Sequence, residues 1–352
     1  MSRALNLAAV AVLALAPLGA SPQAAPAAAA AYNAPRTSFG QPDLMGYWSN
    51  STLTPMTRKP ALGERRAFTP AEVKALEQAV VKEVEEGNKP TALDAPVNAP
   101  NGLESRPEFV AAGGDVGGYN RGWLDPGSLV MRVGGEPRTS LITTKNGQVP
   151  PRKDGTGADP GYGGMGSFDN PENRALGERC IIGFGRNAGP PMFPNGFYNN
   201  NYHIVQTPDA VVIEVEMVHD TRIVRLNARH RSDDLRPWFG DSIGWWDGDT
   251  LVVETNHVPQ AQSFYGAWKN LKVTERFTRV AKDRLRYQFT VSDPTVWNEP
   301  WGGEYEFSPL SGVIYEYACH EGNYALPGIL GGARAQERDG ARAAVAKAGG
   351  TN

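Results

Sequence analysis

The chain has 352 residues, 40% hydrophobic and 21% charged, with 35 basic and 38 acidic side chains and a formal net charge of −3. This balance belongs to a soluble globular protein and excludes a disordered, collagen-like or coiled-coil chain; the 40 Gly and 28 Pro stay below the disordered range. No Lys/Arg run occurs, which argues against nucleic acid as a partner.

Arg3, an apolar stretch over 5–18 and small residues through Ala31 have the form of a secretory signal peptide. Cleavage fits after Ala20 or in the Ala/Pro tract over 24–31. The apolar stretch is too short to span a membrane and no later segment is apolar for 18 residues, so no membrane partner remains after cleavage. The mature product is expected to be periplasmic or secreted. In that oxidising compartment Cys180 and Cys319, the only two cysteines, are expected to pair and to tie the region before the main strand run to the last strand. The rival reading is a nucleophilic thiol.

Residues 32–136 read as an N-terminal arm rich in Pro, Gly and Asn, with one amphipathic helix over 70–86. Thr69-Pro70-Ala71-Glu72 supplies an N-cap, a Pro at the first helical position and the Glu of a capping box. Val73, Leu76, Val80 and Val84 form a narrow stripe, and Gly87 ends the helix. Ser140-Leu141-Ile142-Thr143 turning at Asn146-Gly147 predicts a hairpin. A long Gly/Pro/Asn-rich loop over 150–177 follows. Within it Gly161-Tyr162-Gly163-Gly164-Met165-Gly166 matches G-x-G-x-x-G by letter, but no strand precedes it and no helix follows, so dinucleotide binding is not expected.

From Tyr202 the chain alternates in short runs: 203–206, 211–217, 222–226, 245–246, 251–255, 271–280, 285–291, 305–307 and 313–319. Tight turns between them predict an antiparallel meander of about nine strands. Closure removes exposed edges, so the expected fold is mainly β: an up-and-down, lipocalin-like antiparallel barrel over 137–330, with a tail over 331–352. Gly46-Tyr47-Trp48 resembles the Gly-x-Trp that opens such barrels.

On 211–217 the odd positions are apolar, while Glu214 and Glu216 share the other face. A two-residue turn at His219-Asp220 would set Glu214 opposite Arg225 and Met217 opposite Arg222. The carboxylates then belong either to a surface ion pair or to a wet interior, where one could act as a general base. Glu254 and Asn256 pose the same choice. None of the five histidines has a metal-ligand spacing, so no metal and no organic cofactor is expected. His219-Asp220 and His320-Glu321 could meet at one barrel mouth as an acid–base group. The aromatics, Trp246 and Trp297 among them, suit core packing or a flat ligand.

Five motifs carry a resemblance: Pro42-Asp43-Leu44-Met45-Gly46-Tyr47-Trp48, Tyr198-Asn199-Asn200-Asn201-Tyr202, Glu216-Met217-Val218-His219-Asp220, Gly248-Asp249-Thr250-Leu251-Val252-Val253-Glu254-Thr255, and Tyr315-Glu316-Tyr317-Ala318-Cys319-His320-Glu321-Gly322-Asn323-Tyr324. Across 42–338 the chain resembles a large family of exported proteins from sphingomonads and other soil and aquatic bacteria. The chemistry associated with such organisms is cofactor-independent cleavage of lignin-derived aromatic dimers with release of formaldehyde. The resemblance implies site candidates among Asn200, Asn201, Tyr202, Glu216, His219, Asp220, Arg222, His320 and Glu321.

The resulting expectation is an exported lyase or isomerase that acts on a small apolar or aromatic molecule by acid–base chemistry. His219 or His320 would move the proton, Glu216 or Glu321 would orient the imidazole, and Arg222, Asn201 or Tyr202 would stabilise negative charge. Asn200, Asp220, Trp246 and Trp297 would help to hold the substrate. Two alternatives stand beside it: a non-catalytic lipocalin-like carrier, and a metal-dependent hydrolase or carbohydrate-active protein. A homodimer through a barrel edge or the arm is compatible with each.

Overall fold

A computed structural model describes residues 32–87, 125, 127–153, 168, 170–183, 186–194 and 200–349. The signal-peptide pattern, Gly161 to Gly166, and Tyr198 with Asn199 lie outside the described residues. The fold is mainly β. Its strands are β1 (Gly46–Ser49), β2 (Arg132–Val133), β3 (Glu136–Pro137), β4 (Asn201–Gln206), β5 (Ala210–Val215), β6 (Thr221–Leu226), β7 (Asp241–Asp247), β8 (Thr250–Asn256), β9 (Lys272–Ala281), β10 (Arg284–Ser292) and β11 (Trp301–Pro309). Among the described residues two α-helices accompany them, α1 (Pro70–Gly87) and α2 (Ala325–Gly349).

Nine strands close a barrel in the order β1-β11-β10-β9-β8-β7-β6-β5-β4, as the sequence pattern predicts. A ring with an odd number of members cannot alternate direction at every step. Here the one break is β6 beside β7, which run parallel through Arg225 opposite Ile243 and Leu226 opposite Gly244. The other neighbours are antiparallel. Parallel neighbours need a crossover rather than a tight turn, and residues 227–240 supply it.

The ring differs from the predicted all-antiparallel one at the parallel β6–β7 step and, in membership, in a single strand. Residues 313–319 form no strand, and β1 from the segment read as an arm takes their place against β11. Trp48 faces Pro309 and Ser49 faces Ser308, so the free edge of β11 is already occupied. The Gly46-Tyr47-Trp48 motif therefore lies on a barrel strand. Cys180 and Cys319 are bonded, but Cys319 sits in the loop after the barrel and not on its last strand. The closed loop is long enough for the bridge to stabilise the fold by roughly 5 kcal/mol in the chain-entropy view. The stretch expected as a tail contributes most of α2.

The capping box of α1 forms as read: Glu72 accepts from Thr69 N at 2.8 Å and Glu72 N donates to Thr69 Oγ1 at 3.3 Å. Only Val73 and Val80 of its stripe are buried, so α1 lies on the outside of the body. The hairpin expected at 140–147 keeps its turn, with Gly147 N donating to Thr144 O at 2.8 Å, but has no paired strands. Backbone partners come instead from β11, through Thr143 N to Gly302 O and Glu304 N to Leu141 O, both 2.9 Å. Gly303 permits that approach: a β-carbon there would lie 2.4 Å from the Phe289 ring and 2.7 Å from Leu141 O.

The barrel interior is filled. Ile204, Val211, Ile213, Val215, Val224, Leu251, Val253, Val273, Phe277, Leu285 and Phe307 pack there with buried tyrosines. Arg222 on β6 and Glu275 on β9 form a charged pair there, a two-pronged ion pair with side chains 1% and 0% exposed. Burial opposes the guanidinium charge, but Glu275 outweighs it and raises Arg222 above its ordinary pKa. Tyr287 Oη donates to Glu275 at 2.8 Å and accepts from Met192 N at 2.9 Å. Asn50 Nδ2 donates to Tyr202 Oη at 3.1 Å and Tyr305 Oη at 3.2 Å, and Tyr202 Oη donates to Asn187 O at 2.9 Å.

Removing one partner of a buried pair strands the other charge. Glu275→Gln should therefore lower the unfolding free energy by about 3–5 kcal/mol in urea denaturation. The double variant Arg222→Met with Glu275→Leu should recover a large part of that loss. A double variant as unstable as the sum of the two single ones would refute mutual dependence.

Candidate functional site

The parallel step gathers a site at one barrel mouth. Because β6 and β7 run the same way, the crossover must return to the end where β6 began, which brings Phe239 beside Asp220. β8 runs antiparallel to β7, so the chain leaving β8 reaches the same end and delivers Gln262 on a short 3-10 turn, Gln260–Gln262. β4 also starts there, and the residues before it supply Ile182, Gly183, Arg186, Asn187, Ala188 and Gly189. These nine residues line a narrow cleft of about 10 Å3, partly open to solvent.

The crossover is clasped to the outer wall. His230 sits between Asp241, with Nδ1 3.0 Å from Oδ2, and Glu254, with Nε2 3.3 Å from Oε1. Arg225 and the Arg231 backbone N also donate to Asp241. Burial alone would raise the Asp241 carboxyl; these hydrogen bonds outweigh it and hold the group below its ordinary value. His257 Nε2 lies 2.7 Å from Asp233 Oδ1.

On the opposite wall, Asp220 Oδ2 accepts from Gly183 N at 2.9 Å. Gly183 is required at this approach, because a β-carbon would meet Met217 Cγ at 2.5 Å. Burial pushes the Asp220 carboxyl up to about 6, against smaller lowering by the Gly183 hydrogen bond and His219. Val218 and His219, just before it, have φ of 55° and 44°, a left-handed pair in a segment without glycine. Such residues cost about 1–2 kcal/mol each. The buried side chains of Glu216, Met217 and Val218 hold them in place.

Three buried polar residues of the cleft keep an atom without a hydrogen-bond partner: Arg186 Nε, Asn187 Oδ1 and Gln262 Nε2. These residues are 9%, 3% and 3% exposed. Buried polar atoms are normally satisfied, and each orphan costs about 1–3 kcal/mol. Other buried atoms without a partner lie away from the cleft, Arg138 Nε and Arg222 Nε among them.

The structure distributes the sequence candidates differently from expectation. The two-residue turn at His219-Asp220 is replaced by a 3-10 turn, Met217–His219, which shifts the register. Glu214 faces Thr221, Arg222 faces Ile213 and Arg225 faces Ala210. Glu214 points outward, 3.4 Å from His203 Nδ1, and Glu254 with Asn256 shares the outer face. Neither glutamate lies in a wet interior, because the odd, apolar positions fill it.

Of the candidates, Asp220 alone lines the cleft. Glu216 is buried beside it in sequence, accepting from Asn201 Nδ2 at 2.7 Å and Tyr315 N at 3.0 Å. Arg222 and Tyr202 belong to the interior network, and Asn200 is buried against Asn187 at 3.4 Å. His219, His320 and Glu321 are exposed, and no hydrogen bond joins them to one another among the described residues. Trp246 packs half-buried on the core, and Trp297 is buried edge-to-face on Trp301 at 5.6 Å. No metal-ligating group of three forms among the described residues.

Sequence reasoning missed Arg186, Asn187, Gln262 and Glu275. Glu275 was legible as an acid on the inward face between Val273 and Phe277. The other three lie in irregular segments where no period assigns a face.

No family model matches the chain, and no curated protein matches it. Among solved structures, a mutant of the fluorescent protein UnaG matches at 14% identity, over 38% of this chain and 86% of that one, with a TM-score of 0.22. That likeness carries no functional argument.

The raised carboxyl sets a pH dependence. Asp220 binds its proton more tightly folded than unfolded, so its stabilising contribution is complete below the ordinary carboxylate range and is lost as pH rises through about 6. Urea denaturation from about pH 4 to 7 should show a flatter stability profile for Asp220→Asn than for the parent chain. Superimposable profiles would contradict the environment described for this group.

Proposed function

We propose that the protein is an exported small-molecule-binding barrel whose ligand occupies the mouth cleft rather than the barrel axis. The observation that carries this reading is the set of unpartnered atoms on Arg186, Asn187 and Gln262 around the apolar wall of Phe239, Ile182 and Ala188. Apolar side chains and buried tyrosines pack the interior, and all five histidines stand outside it. The ligand is a small molecule with an apolar or aromatic part that packs on Phe239. The N-terminal pattern and the Cys180 to Cys319 bridge support export.

A second reading, turnover by acid–base chemistry as in a lyase or isomerase, is favoured by one observation. Asp220 holds a proton with a pKa of about 6 at the cleft wall, near the operating pH that general acid–base catalysis requires. In this reading Asp220 takes the role that the sequence suggests for His219 or His320.

Ligand-detected NMR screening of the whole chain against small aromatic and aliphatic compounds tests the proposal. Phe239→Ala should weaken the hits by roughly tenfold, equal to about 1.4 kcal/mol, while thermal unfolding shifts little because the side chain is only half-buried. A compound library with no hits, or hits indifferent to Phe239→Ala, would overturn the binding reading. Turnover that survives Asp220→Asn would remove the second.

A further inference from the structure

The chain that follows the barrel is held to it with little burial. None of residues 309–347 is buried, and Tyr315 and Tyr324 are 74% and 82% exposed. From the far end of β11 this strap climbs the outer wall to the mouth. Leu310 N donates to Tyr47 O at 3.0 Å on β1, and Tyr315 N donates to Glu216 Oε1 at 3.0 Å just beyond β5. Tyr317 rests half-buried on the core, and Cys319 is bonded to Cys180. After the bridge, Asn323 Nδ2 donates to Cys180 Sγ at 3.4 Å and Arg334 to Phe168 O at 3.5 Å.

A segment that buries so little apolar surface opens locally at low cost unless a covalent tie closes it. The tie sits within reach of a reductant: Cys180 is buried, but Cys319 is only half-buried and lies between the exposed Ala318 and His320. Disulfides at exposed positions are the reducible ones, whereas structural bridges resist. The barrel has its own support, a closed ring of strand pairs around a filled interior, and keeps those contacts when the bridge opens.

We propose that the Cys180 to Cys319 bridge is a redox lock on this strap: a dithiol opens it and frees residues 310–324 from the mouth rim while the barrel stays folded. A thiolate of the dithiol attacks Cys319 Sγ, the accessible sulfur; the S–S bond breaks and Cys180 leaves as the thiolate. The second thiol of the reductant then displaces Cys319 from the mixed disulfide. Two electrons pass to the bridge, the dithiol ends as its own disulfide, and its two protons end on Cys180 and Cys319. Asn323 Nδ2, already at 3.4 Å from Cys180 Sγ, donates to the leaving thiolate. Release has a defined consequence at the rim. Glu216 loses Tyr315 N and keeps Asn201 Nδ2, and the segment from Cys180 to Gly183, whose N–H holds Asp220, loses its anchor. The lock acts on the rim whether or not the cleft holds a ligand.

Hydrogen exchange of the whole chain, read by mass spectrometry with and without dithiothreitol, tests the lock. Reduction should raise exchange over 310–324 and 176–183 while β8, β9 and β10 stay protected. The double variant Cys180→Ser with Cys319→Ser should show the same pattern and ignore dithiothreitol. Asn323→Ala should slow reduction of the bridge several-fold, followed by thiol labelling, with thermal unfolding unchanged. Equal exchange in the oxidised and reduced chains would overturn the lock. Exchange that rises throughout the barrel, or a double variant that does not fold, would also overturn it and make the bridge a staple of the fold. An unaltered reduction rate in Asn323→Ala would remove the assignment of Cys180 as the assisted leaving sulfur.

Discussion

Nine strands in a ring must include a place where two neighbours run the same way, and the position of that place organises this molecule. If the parallel step fell at another seam, β6 and β7 could join by a tight turn and no crossover would be needed. At its actual position the chain has to travel back along the barrel after β6. The return delivers Phe239 to the mouth where Asp220 stands, and β8 then brings Gln262 to the same rim. His230, Arg225 and Arg231 fasten the crossover by converging on Asp241, so the wall it supplies has a fixed position.

The filled interior is the complement of that arrangement. Arg222 and Glu275 would be costly guests in an apolar barrel on their own, because taking either charge out of water costs several kcal/mol. Their two-pronged contact and the Tyr287 hydroxyl satisfy most of the pair's bonding capacity. Tyr202, Tyr305 and Asn50 extend the bonding to Asn187 and Met192, residues of the segment that closes the mouth. The network thus joins the barrel wall to that segment. Burial raises all three tyrosine hydroxyls well above their ordinary values, so they act as neutral hydrogen-bonding groups and not as bases.

Around the same rim, the disulfide and Glu216 attach the chain that leaves the barrel. Tyr315 N donates to Glu216, and Asn323 Nδ2 approaches Cys180 Sγ at 3.4 Å. Cys180 lies three residues before Gly183, whose N–H holds Asp220. The bridge and the cleft are therefore parts of one loop assembly, and the covalent tie limits how far that assembly can move.

Local pattern carried much of the fold. Alternation over 203–291 placed most of the barrel strands, and Thr69 and Glu72 marked the start of α1. These features are legible because they arise from neighbours in sequence: period two for a strand, a capping box for a helix end. What local pattern leaves open is which distant segment takes the last free edge. Residues 313–319 and 46–49 are both short and apolar, and only pairing in three dimensions gave the edge of β11 to β1. The same holds for the site. Asp220 was visible as a polar residue at a turn, whereas Arg186, Asn187, Phe239 and Gln262 come from irregular segments up to 76 residues apart, as in the contact of Arg186 with Gln262. No period connects them; the single parallel step in a nine-membered ring does, and its position is a property of the closed barrel that no stretch of sequence contains.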